Sequence, residues 1–238
     1  MVAATTTWAN AETIKISSDP WEPWVHGKSG EIATGGWGVD IAREMFNRMN
    51  LKSETKIFPY ERCLRQMQTG ERDVLLMVKK TKEREAYMLF SDVTLQDPQL
   101  AYYSVEHTKK FEWNDWADFT PFSVGGVRGF NYGEFNTAVT THGIRMELAA
   151  NDEQNIRKVL SGRIDIALLN YSTAEHFIAN KPKFKYALKS AQKPVSLAKF
   201  HIALSKKGKA ANLLPQINKV LAEMESDGTL DRLTLRAK

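Results

Sequence analysis

Two short apolar runs constrain this chain more than anything else in it. Residues 74–78 (VLLMV) and 164–169 (IDIALL, broken only by Asp165) have strand length. A strand that is apolar on both faces suits the middle of a parallel sheet covered on both sides. Their approaches match. Residues 70–76 read GERDVLL and residues 162–169 read GRIDIALL. In each, a glycine closes a helical stretch, an aspartate follows three residues later, and the apolar strand begins. Any helix-to-strand turn can look like this once; the repetition points to two lobes of similar design.

The rest of the chain follows the same grammar. Residues 13–17 (TIKIS) alternate like a strand and lead into a proline-rich loop at 19–24. Residues 38–49 predict a helix, because Ile41, Ala42, Met45, Phe46 and Met49 recur at three and four and form one stripe. A short strand at 56–58 and a helix at 62–68, stopped by Gly70, come before the first apolar run. In the second half, 123–127 predicts a strand and 132–141 a helix after a Gly129-Phe130-Asn131 turn. A helix at 153–160 ends at Gly162. The closing helix, 212–226, carries Leu213, Leu214, Ile217, Val220, Leu221 and Met224 on its inner face and ends at Gly228. Alternating strands and helices predict an α/β fold with mostly parallel sheets. Strand-like segments at 100–105 and 200–204 would carry the chain out to a second lobe and back. The expected lobes are 12–103, 108–196, and a return to the first at 200–238.

Composition excludes some classes. The 33 Lys and Arg outnumber the 28 Asp and Glu, yet they alternate with them instead of forming the basic stripe of a nucleic-acid binder. The basic runs (Lys79-Lys80, Lys109-Lys110, Lys206-Lys207) are pairs, which read as a solvated surface. No stretch reaches the roughly 18–20 apolar residues of a membrane span. The single cysteine, Cys63, excludes an intrachain disulfide and a cysteine-based metal cluster; it falls in a helical pattern and is expected to be buried. His26, His107, His142, His176 and His201 lack metal-ligand spacing, and HExxH, G-x-S-x-G and P-loop motifs are all missing. No cofactor and no metal are expected. Ala9-Asn10-Ala11 fits the small-x-small pattern of a signal-peptidase site, with Glu12 following. Only eleven residues precede that cut, and they hold no cationic or long apolar region. The pattern is either the remnant of a trimmed export signal or an accident.

Seven ordered segments carry a family resemblance: DPWEPW at 19–24, GWGVDIAREMFNRMNL at 36–51, PYERCLRQMQTGERDVLL at 59–76, KTKEREAYMLFSD at 80–92, VGGVRGFNYGEF at 124–135, LSGRIDIALLN at 160–170 and INKVLAEMESDGTLDRL at 217–233. In that order they resemble the bacterial extracellular solute-binding proteins of family 3, the polar-amino-acid type. The resemblance implies a type II periplasmic-binding-protein-like fold, in which two α/β lobes joined by two hinge strands close on a ligand. It also implies a periplasmic, monomeric binder that hands a small carboxylate-bearing ligand to the permease of an ABC importer. A receptor-docking sensor and an enzyme on the same fold are the alternatives.

By the same resemblance, Arg84 of the Thr81-x-x-Arg84 motif would grip the ligand carboxylate, for which a planar guanidinium is well matched. Phe130, Asn131 and Tyr132 would form the second lobe's ligand loop, with free N–H groups at a helix start facing the carboxylate; Asn131 could equally be only a helix cap. Trp21, and less so Trp24, would pack over the ligand. Arg62 and Tyr60, from PYER, are weaker candidates. The chain departs from the family pattern at the ammonium subsite. Asn170 stands where members carry an aspartate, and Lys79 or Lys80 occupies a region of small hydroxyl residues. Either Glu22 supplies the missing carboxylate, or the ligand lacks an ammonium group, as a keto acid or dicarboxylate does.

Overall fold

The computed structural model describes residues 13–234, the side chains of Pro182 and Lys183 excepted; the Ala9–Ala11 pattern lies outside them. The elements run β1 (Ile14–Ser18), α1 (Trp37–Arg48), β2 (Ser53–Ile57), α2 (Tyr60–Thr69), β3 (Val74–Lys79), α3 (Lys82–Glu85), β4 (Met88–Phe90) and β5 (Leu95–Ser104). Then come β6 (Ser123–Val127), α4 (Glu134–Thr141), β7 (Arg145–Ala149), α5 (Asp152–Leu160), β8 (Ile166–Asn170), α6 (Tyr171–Asn180), α7 (Pro182–Ala187) and β9 (Leu188–Ser190). β10 (Ser196–Ser205), α8 (Leu214–Ser226) and α9 (Thr229–Leu233) close the chain.

The strands form one mixed sheet in the order β2-β1-β3-β10-β5-β8-β6-β7, with β4 paired to β10 and β9 to β5. Its two ends are the sheets of two lobes, each with a parallel three-strand set: β2-β1-β3 in the first, β7-β6-β8 in the second. β5 and β10 are the hinge strands. They pair antiparallel from Ser196 opposite Gln99 to Phe200 opposite Leu95. At Gln99, β5 changes partner and continues along β8 in the second lobe.

Both apolar runs sit in the middle of their lobes for the expected reason. In β3, Val74 and Leu76 join the core formed with α1 and α8, while Leu75 and Val78 join the core under α2. In β8, Ile166 and Leu168 face one second-lobe core and Ala167 and Leu169 the other. The repeated aspartate has a common task. The Asp73 carboxylate accepts the Lys15 N–H at the start of β1 (2.8 Å), and Asp165 accepts the Ser123 N–H at the start of β6 (2.7 Å). Each aspartate thus pins the neighbouring parallel strand to the strand that follows it.

One glycine is demanded by the loop that later forms the site. Gly36 precedes α1 with φ 106°, and a Cβ there would lie 2.6 Å from the Trp24 carbonyl oxygen. That close approach lets the Trp37 and Gly38 N–H groups donate to the carbonyls of Pro23 and Trp24, at 3.0 and 2.9 Å. The open N-terminus of α1 is therefore capped by the aromatic loop itself. Gly36→Ala should destabilise the protein by about 2–4 kcal/mol, because both the backbone angle and the contact are lost. Thermal unfolding checks this: on the order of 5–10 °C should be lost, and an unchanged midpoint would remove the cap from this account.

Candidate functional site

The two lobes meet along a crevice at the carboxyl ends of their parallel strands, where open α/β sheets place ligands. β1 ends at Ser18 and leads through Asp19 into Trp21. β3 ends at Lys79, β6 leads to Phe130 and Asn131, and β8 ends at Asn170. Tyr60, Met77, Arg84, Gln99 and Phe200 complete the lining. The cavity between the lobes is about 20 Å³, which suits roughly one water molecule. A larger molecule enters only if the lobes part.

Arg84 reaches the crevice from a single helical turn, α3. Thr81 caps that turn, its hydroxyl accepting the Arg84 N–H at 3.2 Å. The motif Thr81-x-x-Arg84 is therefore a capped turn that presents a buried guanidinium, only 5% exposed. One arm donates to the Lys79 carbonyl and the other to the Gly129 carbonyl of the second lobe, each at 2.8 Å. The Tyr60 ring lies under the guanidinium, 5.5 Å from its centroid. Lys79 lies alongside, its ammonium donating to the Asn131 carbonyl of the second lobe (2.7 Å) and to the Gln99 side chain (3.1 Å). Burial and the neighbouring Arg84 charge lower Lys79 to about 8, against some support from Asp97. It remains a cation at neutral pH. All four acceptors are uncharged, and among the described residues no carboxylate pairs with either cation.

An aromatic wall closes the other side. Phe130 of the second lobe packs edge-on against Tyr60 (5.0 Å) and Trp21 (6.0 Å) of the first, and Phe200 packs against Trp21 (5.2 Å). Two indoles then bridge the lobes: Trp21 donates to the Thr173 hydroxyl (3.0 Å) and Trp24 to the Ser172 hydroxyl (3.1 Å). Ser172 in turn donates, through its hydroxyl, to Asp97 of hinge strand β5. Arg84, Lys79, Trp21 and Trp24 thus each make a hydrogen bond across the crevice.

Six of the ten sequence candidates meet at this cavity: Arg84, Trp21, Asn131, Phe130, Asn170 and Lys79. Four do not line it. Thr81 acts one step back, as the cap that sets Arg84. Glu22 is turned to the outside, 3.1 Å from His26 and 3.8 Å from His176, and lines an outer crevice. Tyr132 is locked inside the second lobe, its hydroxyl accepting the Val127 N–H at 2.6 Å. Arg62 is exposed, with its guanidinium 4.6 Å from the Phe58 ring centroid. Of the two lysines, Lys80 pairs with Glu85 at the surface (2.8 Å) and Lys79 faces the cleft.

The ligand loop also differs from the expected helix start. The Asn131 side chain accepts the Gly133 N–H (3.0 Å), Gly133 adopts φ 66°, and α4 begins only at Glu134. Asn131 is therefore no cap of α4, and the Gly129 and Asn131 carbonyls of this loop meet the cations of the first lobe. Asp19, Gln99, Met77 and Phe200 were not singled out by sequence. Asp19 and Met77 could have been found by their place at or near the ends of β1 and β3. Gln99 and Phe200 sit inside the hinge strands and carry no such signal. Met77 has φ 48° at a bulge where β3 slips against β10, and this turns it into the cleft.

Fold and site define a two-lobed clamp with the type II architecture. Residues 14–236 match the bacterial extracellular solute-binding proteins, family 3, and the chain belongs to that family. A curated relative, the probable amino-acid-binding protein YxeM of Bacillus subtilis (strain 168), is 24% identical over 217 residues, 89% of this chain and 78% of the relative. Among solved structures, an ancestral arginine-binding protein bound to arginine is similar with TM-score 0.80 and 21% identity, covering 94% of this chain and 97% of its own. The arginine 3rd transport system periplasmic binding protein from Legionella pneumophila is similar with TM-score 0.80 and 18% identity, covering 95% and 99%. The structural likenesses establish the fold.

Two buried carboxyls beside Trp21 give the site a pH dependence. Desolvation raises Asp19 from 3.8 to about 7, opposed only by its own backbone N–H. Desolvation, with help from the Asp19 charge, raises Asp152 of α5 to about 7, opposed by the Trp21 indole. Both bind a proton more tightly folded than unfolded. Their contribution to stability is complete below about pH 4 and is lost as the pH rises through about 7. It amounts to on the order of 2–4 kcal/mol per group. The melting temperature should fall between pH 5 and pH 8, and Asp19→Asn should flatten that fall. A slope unchanged by Asp19→Asn would show that Asp19 titrates normally.

Proposed function

We propose that this protein is a periplasmic solute-binding protein that closes on a small carboxylate-bearing ligand, an amino acid or related organic acid, and delivers it to an ABC importer. One observation carries the ligand class: the Arg84 guanidinium is buried at the meeting of the lobes, and among the described residues its hydrogen-bond acceptors are backbone carbonyls alone. A carboxylate is the stronger partner for a planar guanidinium in such a place. The similar proteins, a probable amino-acid-binding protein and arginine-binding proteins, support a ligand of this kind and a binding role over a catalytic one. Family membership supports the extracellular location and the importer.

The moving units would be the segments 12–103, 108–196 and 200–238, with the bend in β5 and β10. Trp21, Phe130 and Phe200 would cover the apolar part of the ligand, and Asn170 would offer its amide. The Asn170 nitrogen is buried and unpartnered, a donor that a ligand oxygen would satisfy.

A thermal-shift screen tests the reading, with the twenty amino acids, keto acids and dicarboxylates against amines that lack a carboxylate. Carboxylates alone should stabilise the protein, by about 2.7 kcal/mol at a hundred times the dissociation constant, or on the order of 5–10 °C. Arg84→Ala should then cost about 2–5 kcal/mol of binding by calorimetry, since a ligand carboxylate would be stranded. Stabilisation by carboxylate-free amines, or equal affinity in Arg84→Ala, would overturn the proposal.

A further inference from the structure

We propose that Lys79 is the specificity-determining residue of this cleft and selects ligands with two carboxylates, such as acidic amino acids and short dicarboxylic acids, over neutral and basic amino acids. The inference rests on the carboxylate reading above and deepens it. Arg84 alone would account for one ligand carboxylate. Lys79 places a second cation beside it, at the end of β3, joined to it by the Arg84 bond to its own carbonyl. The Lys79 stem is half-buried and its ammonium is fixed in the crevice by the Gln99 side chain and the Asn131 carbonyl. A lysine on a solvated face would instead extend into water, as its neighbour Lys80 does beside Glu85.

Two like charges this close raise each other's cost, and the lowered proton affinity of Lys79 reflects that. Among the described residues no carboxylate forms an ion pair with this second charge, and only the field of Asp97 supports it. Both acceptors of Lys79 are neutral, and Asp97, the carboxylate whose field it feels, is held by Ser172. A ligand with one carboxylate would neutralise one cation and leave the other buried between closed lobes. A second carboxylate removes that penalty. A cationic side chain in the same place would add to it. Asp19 lines the same cavity and is a carboxyl that an ammonium group on the ligand could meet once the lobes part. The site therefore accommodates a two-carboxylate ligand with or without an amine.

Calorimetry at pH 7 tests this with the full chain and defined probes: L-glutamate, L-aspartate, glutarate and succinate against L-glutamine, L-asparagine and L-arginine. The wild-type protein should bind its best two-carboxylate probe at least tenfold tighter than the corresponding amide and than arginine. Lys79→Gln should weaken that probe by about thirtyfold or more and shift the amide by less than threefold. Lys79→Arg, which keeps the charge, should retain the preference and controls for misfolding. Affinity for the two-carboxylate probe should also drop above pH 8, as Lys79 loses its proton, and this drop should vanish in Lys79→Arg. Tighter binding of glutamine, asparagine or arginine by the wild type, or a preference that survives in Lys79→Gln, would overturn the role of Lys79. In those cases, dependence of the bound monocarboxylate on Arg84 would leave the broader reading standing. Failure of every carboxylate probe would overturn both.

Discussion

The buried guanidinium of Arg84 organises this molecule. It is set by the first lobe, through the Thr81 cap, and it ends on a carbonyl of the second, at Gly129. A charge held between two lobes makes the distance between them an electrostatic quantity. With the lobes apart, water solvates the cation. With the lobes together, protein acceptors or a ligand must replace that water. Carbonyl dipoles do so incompletely, and an anion does so well. On the proposed function, closure and ligand capture would be the same event seen from two sides, which is how a binding free energy shifts a hinge equilibrium.

The hinge gives this coupling its mechanical form. β5 and β10 pair only with each other over three positions, Gln96 to Pro98 opposite Lys199 to Leu197, so the sheet continues across the gap as a short two-strand ribbon. Such a ribbon bends more readily than a wide sheet. Gln99 sits where β5 changes partner, and its side chain accepts from both Lys79 and Ser196. Phe200 sits at the other end of the ribbon and packs on Trp21. Residues of the bending element are thus also residues of the cavity. The indole bonds to Ser172 and Thr173 add a second set of cross-lobe contacts outside the cavity, with Ser172 anchored to Asp97 of β5.

Much of the architecture was legible in the sequence because it rests on periodicity. The stripe through Ile41, Met45 and Phe46, the apolar run of β3 and the paired aspartates Asp73 and Asp165 are one-dimensional patterns with one structural solution each. The short elements were not legible. α3 exists because of one cap, and α6, β7 and β9 carry no pattern strong enough to stand alone. The site was legible where chemistry is rare and its position regular: a cation after β3, an aromatic loop after β1, an amide at the end of β8. It was illegible where backbone geometry decides. The start of α4 was misplaced because the Asn131 side chain folds back on Gly133. Glu22 was drawn toward the cavity by charge alone, while the loop tied to α1 turns it outward.

That misplaced helix start changes the polarity of the cleft. A helix N-terminus would have made the second lobe a donor surface, and both lobes would have competed for the same carboxylate. Instead the loop from Gly129 to Asn131 presents acceptors, while the first lobe presents Arg84 and Lys79. The two lobes are complementary to each other before they are complementary to a ligand. A ligand therefore has to exchange partners on both sides. On the proposed reading, its anionic groups would take the cations from the loop carbonyls, and those carbonyls would then need donors of their own, from the ligand or from water that enters with it. The Asn170 amide, buried without a partner, is the second-lobe donor already placed for an oxygen. The ligand would thus have to match two cations on the first lobe and a row of acceptors with one amide donor on the second.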